Sequence, residues 1–413
     1  MSFRSPSARG WLSRVVLALV SVPWLAAFSL MGVTAVRKRL RARGTEPLPR
    51  VEAEHFTIGG GNEVQVYVSG EALYEDMLAA IAGARRRILL ESYIIKGDAM
   101  GRRFRAALRD AADRGVEVRV IYDGFANLVV RPSFFRFGHG IEVMRYPVLP
   151  RRWGFLSPRA WGRDHRKILV VDDTIGFVGG YNIGSLYADE WRDTHVAVTG
   201  PAVWDLENAF VDFWNDVRPD DRLEPISEAT WDPYVRSHRN VPRQLIYPIR
   251  GMYLEAIDRA QSSIEITQAY FIPDQNILQA LIDASRRGVK VRILVPRVSN
   301  HVVADFVARG YFGRLLDAGV EILRYRDHMV HAKTMTIDGE WCTIGTANID
   351  RLSLTGNYEI NLEFLDDGLA KGMSRVFARD AEKAEVLDPT TWHARSSVAR
   401  VYERLLRPWR PLV

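Results

Sequence analysis

One short pattern occurs twice in this chain, and the repetition constrains the fold more than any other feature. The stretch His165-Arg-Lys167-Ile-Leu-Val-Val-Asp172 returns as His331-Ala-Lys333-Thr-Met-Thr-Ile-Asp338. A glycine-led turn with an asparagine follows each copy, Gly179-Gly180-Tyr181-Asn182 and Gly345-Thr346-Ala347-Asn348, and then an acid, Asp193 or Glu359. Histidine, lysine, aspartate, first glycine, asparagine and acid each stand 166 residues from their counterpart. A constant offset over six positions marks a duplicated structural unit.

The flanks repeat more loosely. A β-like run (87–95 and 263–272) precedes a helix-like segment (102–114 and 278–287), and Arg-Gly-Val then leads into another apolar strand (116–123 and 289–295). Strands alternating with helices at this length predict an α/β fold with a sheet in each half. The 413 residues suffice for two such lobes. The expected boundaries are a membrane anchor with a basic flank over 1–44, a first lobe over 45–217 and a linker over 218–250. A second lobe over 251–390 and a basic amphipathic tail over 391–413 complete the chain.

The residue types point to phosphodiester chemistry. Residues 168–171 and 334–337 read as buried strands, so the His and Lys of each copy face the same way. The chain has seven lysines against 49 arginines, yet both motifs hold Lys. A compact ammonium rather than a planar fork is wanted there. Pooled, the halves offer two imidazoles, two ammoniums and two amides. One histidine can attack phosphorus while the other protonates the leaving oxygen and later deprotonates the acceptor. Lys167, Lys333, Asn182 and Asn348 can neutralise the phosphoryl oxygens, a task metals perform elsewhere. Asp193 and Glu359 each lie 28 residues beyond the histidine of their own copy and suit holding its second ring nitrogen. Asp172 and Asp338 sit at strand–turn junctions and are expected to bind the turn, and Gly179, Gly180 and Gly345 to serve backbone geometry. A lone strand histidine is usually structural; the duplication with Lys and Asn is what argues for catalysis.

The net charge of +6 looks like a nucleic-acid signal until it is located. Residues 1–44 carry eight cations and no acid, so the rest of the chain stands at −2. A near-neutral body disfavours a nuclease, which spreads cations over a working face. The single cysteine, Cys342, rules out an intrachain disulfide and a cysteine-based metal site. No metal or other cofactor and no obligate protein partner is expected. Residues 15–36 form a 22-residue uncharged apolar run, long enough as a helix for the ~30 Å hydrocarbon core. A cleaved signal peptide is the competing reading, but the run exceeds the usual apolar core of such peptides. Five cations follow the run and three precede it, which places the body on the cytoplasmic side. Arginines interleave with aromatic and apolar residues over 145–161, which fits either a lipid-facing segment or a partly buried loop packed on its own lobe; the basic, amphipathic tail reads as interfacial.

These motifs resemble the phospholipase D superfamily, whose duplicated HxKxxxxD sequences meet at a pseudo-twofold axis between two α/β lobes. The resemblance covers roughly residues 60–385 and is strongest to the bacterial cardiolipin synthase family. Gly-Asn-Glu-Val at 61–64, Trp191-Arg-Asp-Thr-His195, Gly200-Pro201, Tyr270-Phe-Ile-Pro-Asp274 and Met329-Val-His-Ala-Lys333 carry it. It implies a mixed sheet flanked by helices in each lobe and catalytic roles for His165, Lys167, Asn182, His331, Lys333 and Asn348. By the family's habit His165 is the nucleophile and His331 the acid/base. It further implies phospholipid substrates, phosphatidylglycerol among them, and a place in the bacterial inner membrane. Two departures stand out. Gly345-Thr346 replaces the family's Gly-Ser, and Arg351 is displaced by one position from Ser353. Hydrolysis by water, nuclease action, and a scaffold with a dead site are the competing functions; two complete motifs oppose the last.

Overall fold

The structure is a computed structural model that describes residues 48–149, 158–326 and 328–412, together with Leu25, Ser29 and Gly32. The proposed membrane span therefore lies almost wholly outside the described residues, as does much of the 145–161 stretch. Among the described residues no helix is long and apolar enough to cross a membrane.

Two eight-stranded sheets organise the chain. The first uses β1 (Glu54–Ile58), β2 (Asn62–Tyr67), β3 (Arg87–Ser92), β4 (Glu117–Asp123), β5 (Ile141–Tyr146), β6 (Lys167–Val171), β7 (Ile175–Gly179) and β9 (His195–Thr199). The short β8 (Trp191–Arg192) stands apart. The second uses β10 (Val235–Asn240), β11 (Ser263–Gln268), β12 (Lys290–Pro296), β13 (Glu321–Tyr325), β15 (Lys333–Ile337), β16 (Trp341–Gly345), β17 (Glu359–Leu365) and β18 (Ala384–Val386), with β14 (Met329–Val330) pairing β8. The orders are β1-β2-β9-β7-β6-β3-β4-β5 and β10-β17-β16-β15-β11-β12-β13-β18. Removing one edge strand from each, β1 and β18, leaves seven strands in the same order and the same mix of parallel and antiparallel pairs. The duplication is thus a duplication of topology.

One boundary shifts. Residues 235–240, assigned to the linker from composition, form β10 and pair with β17 over their whole length. Their charged residues (Arg236, His238, Arg239) suit an edge strand, which needs only one buried face.

The longer helices are α1 (Gly70–Gly83), α2 (Ala99–Asp113), α3 (Val203–Val217), α4 (Pro248–Arg259), α5 (Gln275–Arg286), α6 (Val302–Asp317), α7 (Asp367–Glu382) and α8 (Ser397–Leu405). The equivalent helices α2 and α5 begin at equivalent caps. Asp98 accepts from the Gly101 amide, and Asp274 from those of Asn276 and Ile277. Each lobe has an apolar core of its own, while a third cluster joins Val64, Val196, Phe210 and Trp214 of the first lobe to Ile344, Ile360, Phe364 and Met373 of the second. Each such fully buried side chain contributes about 1.5–3 kcal/mol, so the lobes are fused through a shared core. The tail is only partly outward-facing. Leu406 is buried in the second lobe's core, while Val398 and Val401 are exposed.

Candidate active site

Each motif strand opens on its lysine. Lys167 begins β6 opposite Ser92, and Lys333 begins β15 opposite Gln268. The histidines sit just before these strands, in two segments that bind the opposite lobe. The His165 amide donates to the carbonyl of Tyr358 (3.0 Å), and the His331 amide to that of Arg192 (2.6 Å). β14 runs parallel with β8, pairing Met329 with Trp191 and Val330 with Arg192.

This backbone exchange crosses the partners that sequence spacing suggests. The 28-residue offset pairs Asp193 with His165 and Glu359 with His331, but the contacts run the other way. His165 Nδ1 lies 2.9 Å from Glu359 Oε2, and His331 Nδ1 lies 2.6 Å from Asp193 Oδ2. Each acid follows a strand segment hydrogen-bonded to the other lobe's histidine segment, so the acid beside each ring comes from the other copy.

The two copies form one site. Lys333 disfavours protonation of His165, and Lys167 does the same to His331. Burial is the larger cause in both cases. It lowers the pKa of His165, and it pushes that of His331 down to about 3 with Lys333 adding to the effect. Lys333 Nζ lies 2.9 and 3.1 Å from the two ring nitrogens of His331. Burial also brings the lysines down, Lys167 to about 8 and Lys333 to about 7. Nearly every charge here is shielded from water, so an entering phosphate meets cations at low dielectric.

The remaining motif residues divide between site and scaffold. The Asn182 side-chain oxygen accepts the Ile94 amide at 3.1 Å, whereas the buried Asn348 Oδ1 has no hydrogen-bond partner among the described residues. Asp172 accepts from the amides of Arg85, Arg86 and Arg87 (2.7–2.9 Å), and Asp338 from those of Gln261, Ser262 and Ser263 (2.7–2.8 Å). Both tie the end of a motif strand to the start of its central neighbour, β3 or β11. A Cβ on Gly179 or Gly345 would come within 2.5 Å of a backbone Cα, that of His195 or Asn361. At Gly180 a Cβ would meet Asp193 Oδ1 at 2.0 Å. The equivalent Thr346 instead donates its hydroxyl to Glu359 Oε2 (2.6 Å). Arg351 is exposed at the start of a short helix, while Ser353 is buried against Asp350.

Several residues here lie outside the duplicated His-Lys-Asn motif positions. Tyr93 packs edge-on against His165 (4.7 Å between centroids) with Lys167 Nζ 5.3 Å from its ring, and Trp191 and Tyr270 flank His331 at 4.9 and 6.2 Å. His195 is buried, among the described residues neither ring nitrogen is hydrogen-bonded, and its pKa falls to about 3 through desolvation. Behind His165, the buried Arg166 pairs with Glu91 (2.7 Å) beside Asp164, whose carboxyl is raised by burial and then by Glu91. Among the described residues no three His, Cys, Asp or Glu side chains are grouped to hold a metal ion.

A family model described as cardiolipin synthase, PLD-like domain, matches residues 77–214 and 253–381, well over half of the chain. The chain belongs to this family. Cardiolipin synthase from Geobacillus sp. (strain WCH70) is 34% identical over 363 residues, covering 85% of this chain and 72% of the relative. Cardiolipin synthase from Clostridium perfringens (strain SM101 / Type A) is 30% identical over 374 residues, covering 85% and 77%. Among solved structures, phosphatidylserine synthase from Haemophilus influenzae Rd KW20 superposes with a TM-score of 0.66 at 12% identity, covering 91% of this chain and 97% of that one. Polyphosphate kinase from Porphyromonas gingivalis gives 0.54 at 14% identity, covering 89% and 57%. At such identities these likenesses establish the two-lobed fold alone. Membership of the cardiolipin synthase family makes the protein an enzyme of the phospholipase D superfamily.

Proposed function

We propose that the protein transfers a phosphatidyl group from one phospholipid to a hydroxyl of phosphatidylglycerol, forming cardiolipin through a phosphohistidine. The observation that carries this reading is the convergence of both motifs on one buried site, with each histidine's Nδ1 against the opposite lobe's acid. In this arrangement Nε2 of His165 is left for attack, while Nε2 of His331 lies 3.1 Å from Lys333 Nζ and is released as the lysine turns to the bound phosphate. His165 Nε2 attacks phosphorus; the bond from phosphorus to the leaving alcohol breaks, and His331 gives that oxygen its proton. The acceptor hydroxyl then yields its proton to His331 while its oxygen attacks phosphorus, and the P–N bond breaks to restore His165. Lys167, Lys333, Asn182 and Asn348 balance the charge on the equatorial oxygens. The free site holds His331 neutral. A bound phosphate anion offsets Lys333 and makes the imidazolium accessible when the leaving group needs it.

Residues 15–36 serve as a single membrane anchor in this reading, with the basic run at 37–43 holding the body on the cytoplasmic side. Lipid extracts of cells overexpressing the chain, resolved by thin-layer chromatography, test the reading. Cardiolipin should rise with the intact protein and not with His165→Ala. A rise in phosphatidic acid instead would make water the acceptor and the protein a hydrolase.

A further inference from the structure

The two lobes differ most in the connection that leaves their third equivalent strand. In the second lobe, β12 and β13 are joined through the 16-residue α6, whose Ala304, Val307, Ala308 and Tyr311 are buried in the core. In the first lobe the β4–β5 connection has only a short 3-10 turn, Pro132–Phe135. A cleft of about 540 Å³ remains there, lined by Lys96, Asp98, Arg105, Val129, Arg131 and Phe134 among others.

Its lining is polar where the second lobe is apolar. The matched bridges Ile95–Ile183 and Phe271–Ile349, with the matched caps Asp98 and Asp274, align the two loops at a fixed offset. Lys96 then falls where the second lobe has the buried Ile272, and Arg105 where it has the buried Leu281. Three cations therefore share the cleft with one carboxylate. Asp98 is already engaged, by the Gly101 amide (3.1 Å) and the Ser185 amide (2.8 Å). Among the described residues none of the three cations has an acid within ion-pairing distance. Among the described residues Arg105 Nε is buried without a hydrogen-bond partner, while its Nη2 donates to the Arg136 carbonyl (2.9 Å) and its guanidinium lies over the Phe134 ring (5.6 Å); desolvation and Arg109 disfavour the cation. Lys96 is moreover one of only seven lysines in the chain. Cations without an acid partner in a concave site are a receptor for an anion.

A single loop links the cleft to the catalytic centre. Tyr93, against His165, lies three residues before Lys96, and Asn127 fixes the loop between by accepting the Ile95 amide (3.0 Å) and donating to the Tyr93 carbonyl (2.8 Å). On the same connection Phe125, Leu128 and Val129 are 52%, 58% and 83% exposed. Apolar side chains beside cations match a lipid headgroup with its acyl chains rather than a free anion. We propose that this cleft is a second phospholipid subsite, in which Lys96, Arg105 and Arg131 hold the phosphodiester of the anionic acceptor while its free hydroxyl reaches the phosphohistidine. The proposal rests on the transferase reading and adds where the acceptor's phosphate sits.

Lys96→Gln/Arg131→Gln tests it in the full-length protein. Transfer to phosphatidylglycerol is compared with transfer to glycerol, an acceptor without phosphate. The ratio of kcat/KM for phosphatidylglycerol over glycerol should fall about tenfold or more, through KM, as expected for losing charge-assisted contacts of about 1.4 kcal/mol or more. An unchanged ratio, or equal losses with both acceptors, overturns the subsite. Excess inorganic phosphate should leave the wild-type KM for phosphatidylglycerol unaltered; competition that the double variant abolishes would assign the cleft to free phosphate instead. If the wild-type protein transfers to neither acceptor, the transferase reading fails separately. The cleft is then judged by binding of glycerophosphoglycerol, which the double variant must weaken about tenfold; unchanged binding overturns the site.

Discussion

His331 and Asp193 lie on different lobes, 138 residues apart, yet their Nδ1 and Oδ2 atoms are 2.6 Å apart. His165 and Glu359 repeat the relationship at 2.9 Å with the lobes exchanged. Neither lobe holds a complete histidine–acid pair, so the reactive tautomer of each imidazole depends on the lobes being seated together.

The crossing gives the acid variants distinct targets. Asp193→Asn should damage proton delivery by His331, and Glu359→Gln should damage attack by His165. Each should lower kcat by about 10²–10⁴ with a small change in KM, the upper end matching the loss when the buried acid of a serine-protease triad is neutralised. Steady-state kinetics with a natural phospholipid donor measures this. A p-nitrophenyl phosphodiester, whose leaving group needs no proton, should restore Asp193→Asn far more than Glu359→Gln; equal recovery would contradict the assignment.

The pH dependence arises from the same groups. Burial lowers both histidines, so they stay neutral down to below their ordinary pKa near 6.5. Lys333 and Lys167, pushed down to about 7 and about 8, lose their charge as pH rises through those values. The kcat/KM for donor should therefore decline above about pH 7, and more steeply above about pH 8, with the alkaline limb of kcat displaced upward because bound phosphate favours the ammonium. A kcat/KM that keeps rising to pH 10 would show that the lysine cations are not required.

His195 supplies a stability test. Its pKa is about 3 in the folded protein, through burial, against about 6.5 unfolded. The unfolded chain binds the extra proton, so stability is retained above pH 6.5 and falls as pH drops through the window toward 3. Between pH 7 and pH 5 the loss should be about 2 kcal/mol from this residue. His195→Asn, which installs the residue found at the equivalent Asn361, should flatten the fall in Tm over that interval. An unchanged slope would mean that His195 keeps a charged or solvated form in the native state.

The sequence carried the repeat, the alternation of strand and helix, and the residues that meet at the centre, because each rests on a local pattern or a constant offset. The duplication implied that both lobes share one strand order, without giving that order. The acid pairing was not legible, since a 28-residue spacing says nothing about which lobe a segment will pair with, and the exchange at β8 and β14 is made by backbone atoms. Strand β10 was hidden for a related reason: a charged edge strand has a linker's composition. Tyr93, Trp191 and Tyr270 lie outside the repeated motif positions and are brought to the histidines only by tertiary packing.

Charge neutralisation by two lysines and two amides predicts that divalent cations are dispensable. Extensive dialysis against EDTA should leave kcat within about twofold of the untreated enzyme. Loss of activity that one divalent ion restores would show that the side chains do not suffice.

The most direct test of the mechanism is to find where the phosphatidyl group rests between donor and acceptor. With His331→Asn protein, a phosphatidyl p-nitrophenyl ester should form the intermediate, while its transfer stalls for want of a base. Rapid denaturation at alkaline pH, proteolysis and mass spectrometry should place an acid-labile phosphatidyl adduct on the peptide containing His165. An adduct on His331 in the reciprocal His165→Asn protein, with none on His165 in the His331→Asn protein, would exchange the two roles. Absence of any adduct in either variant, with donor still consumed, would contradict the covalent mechanism itself.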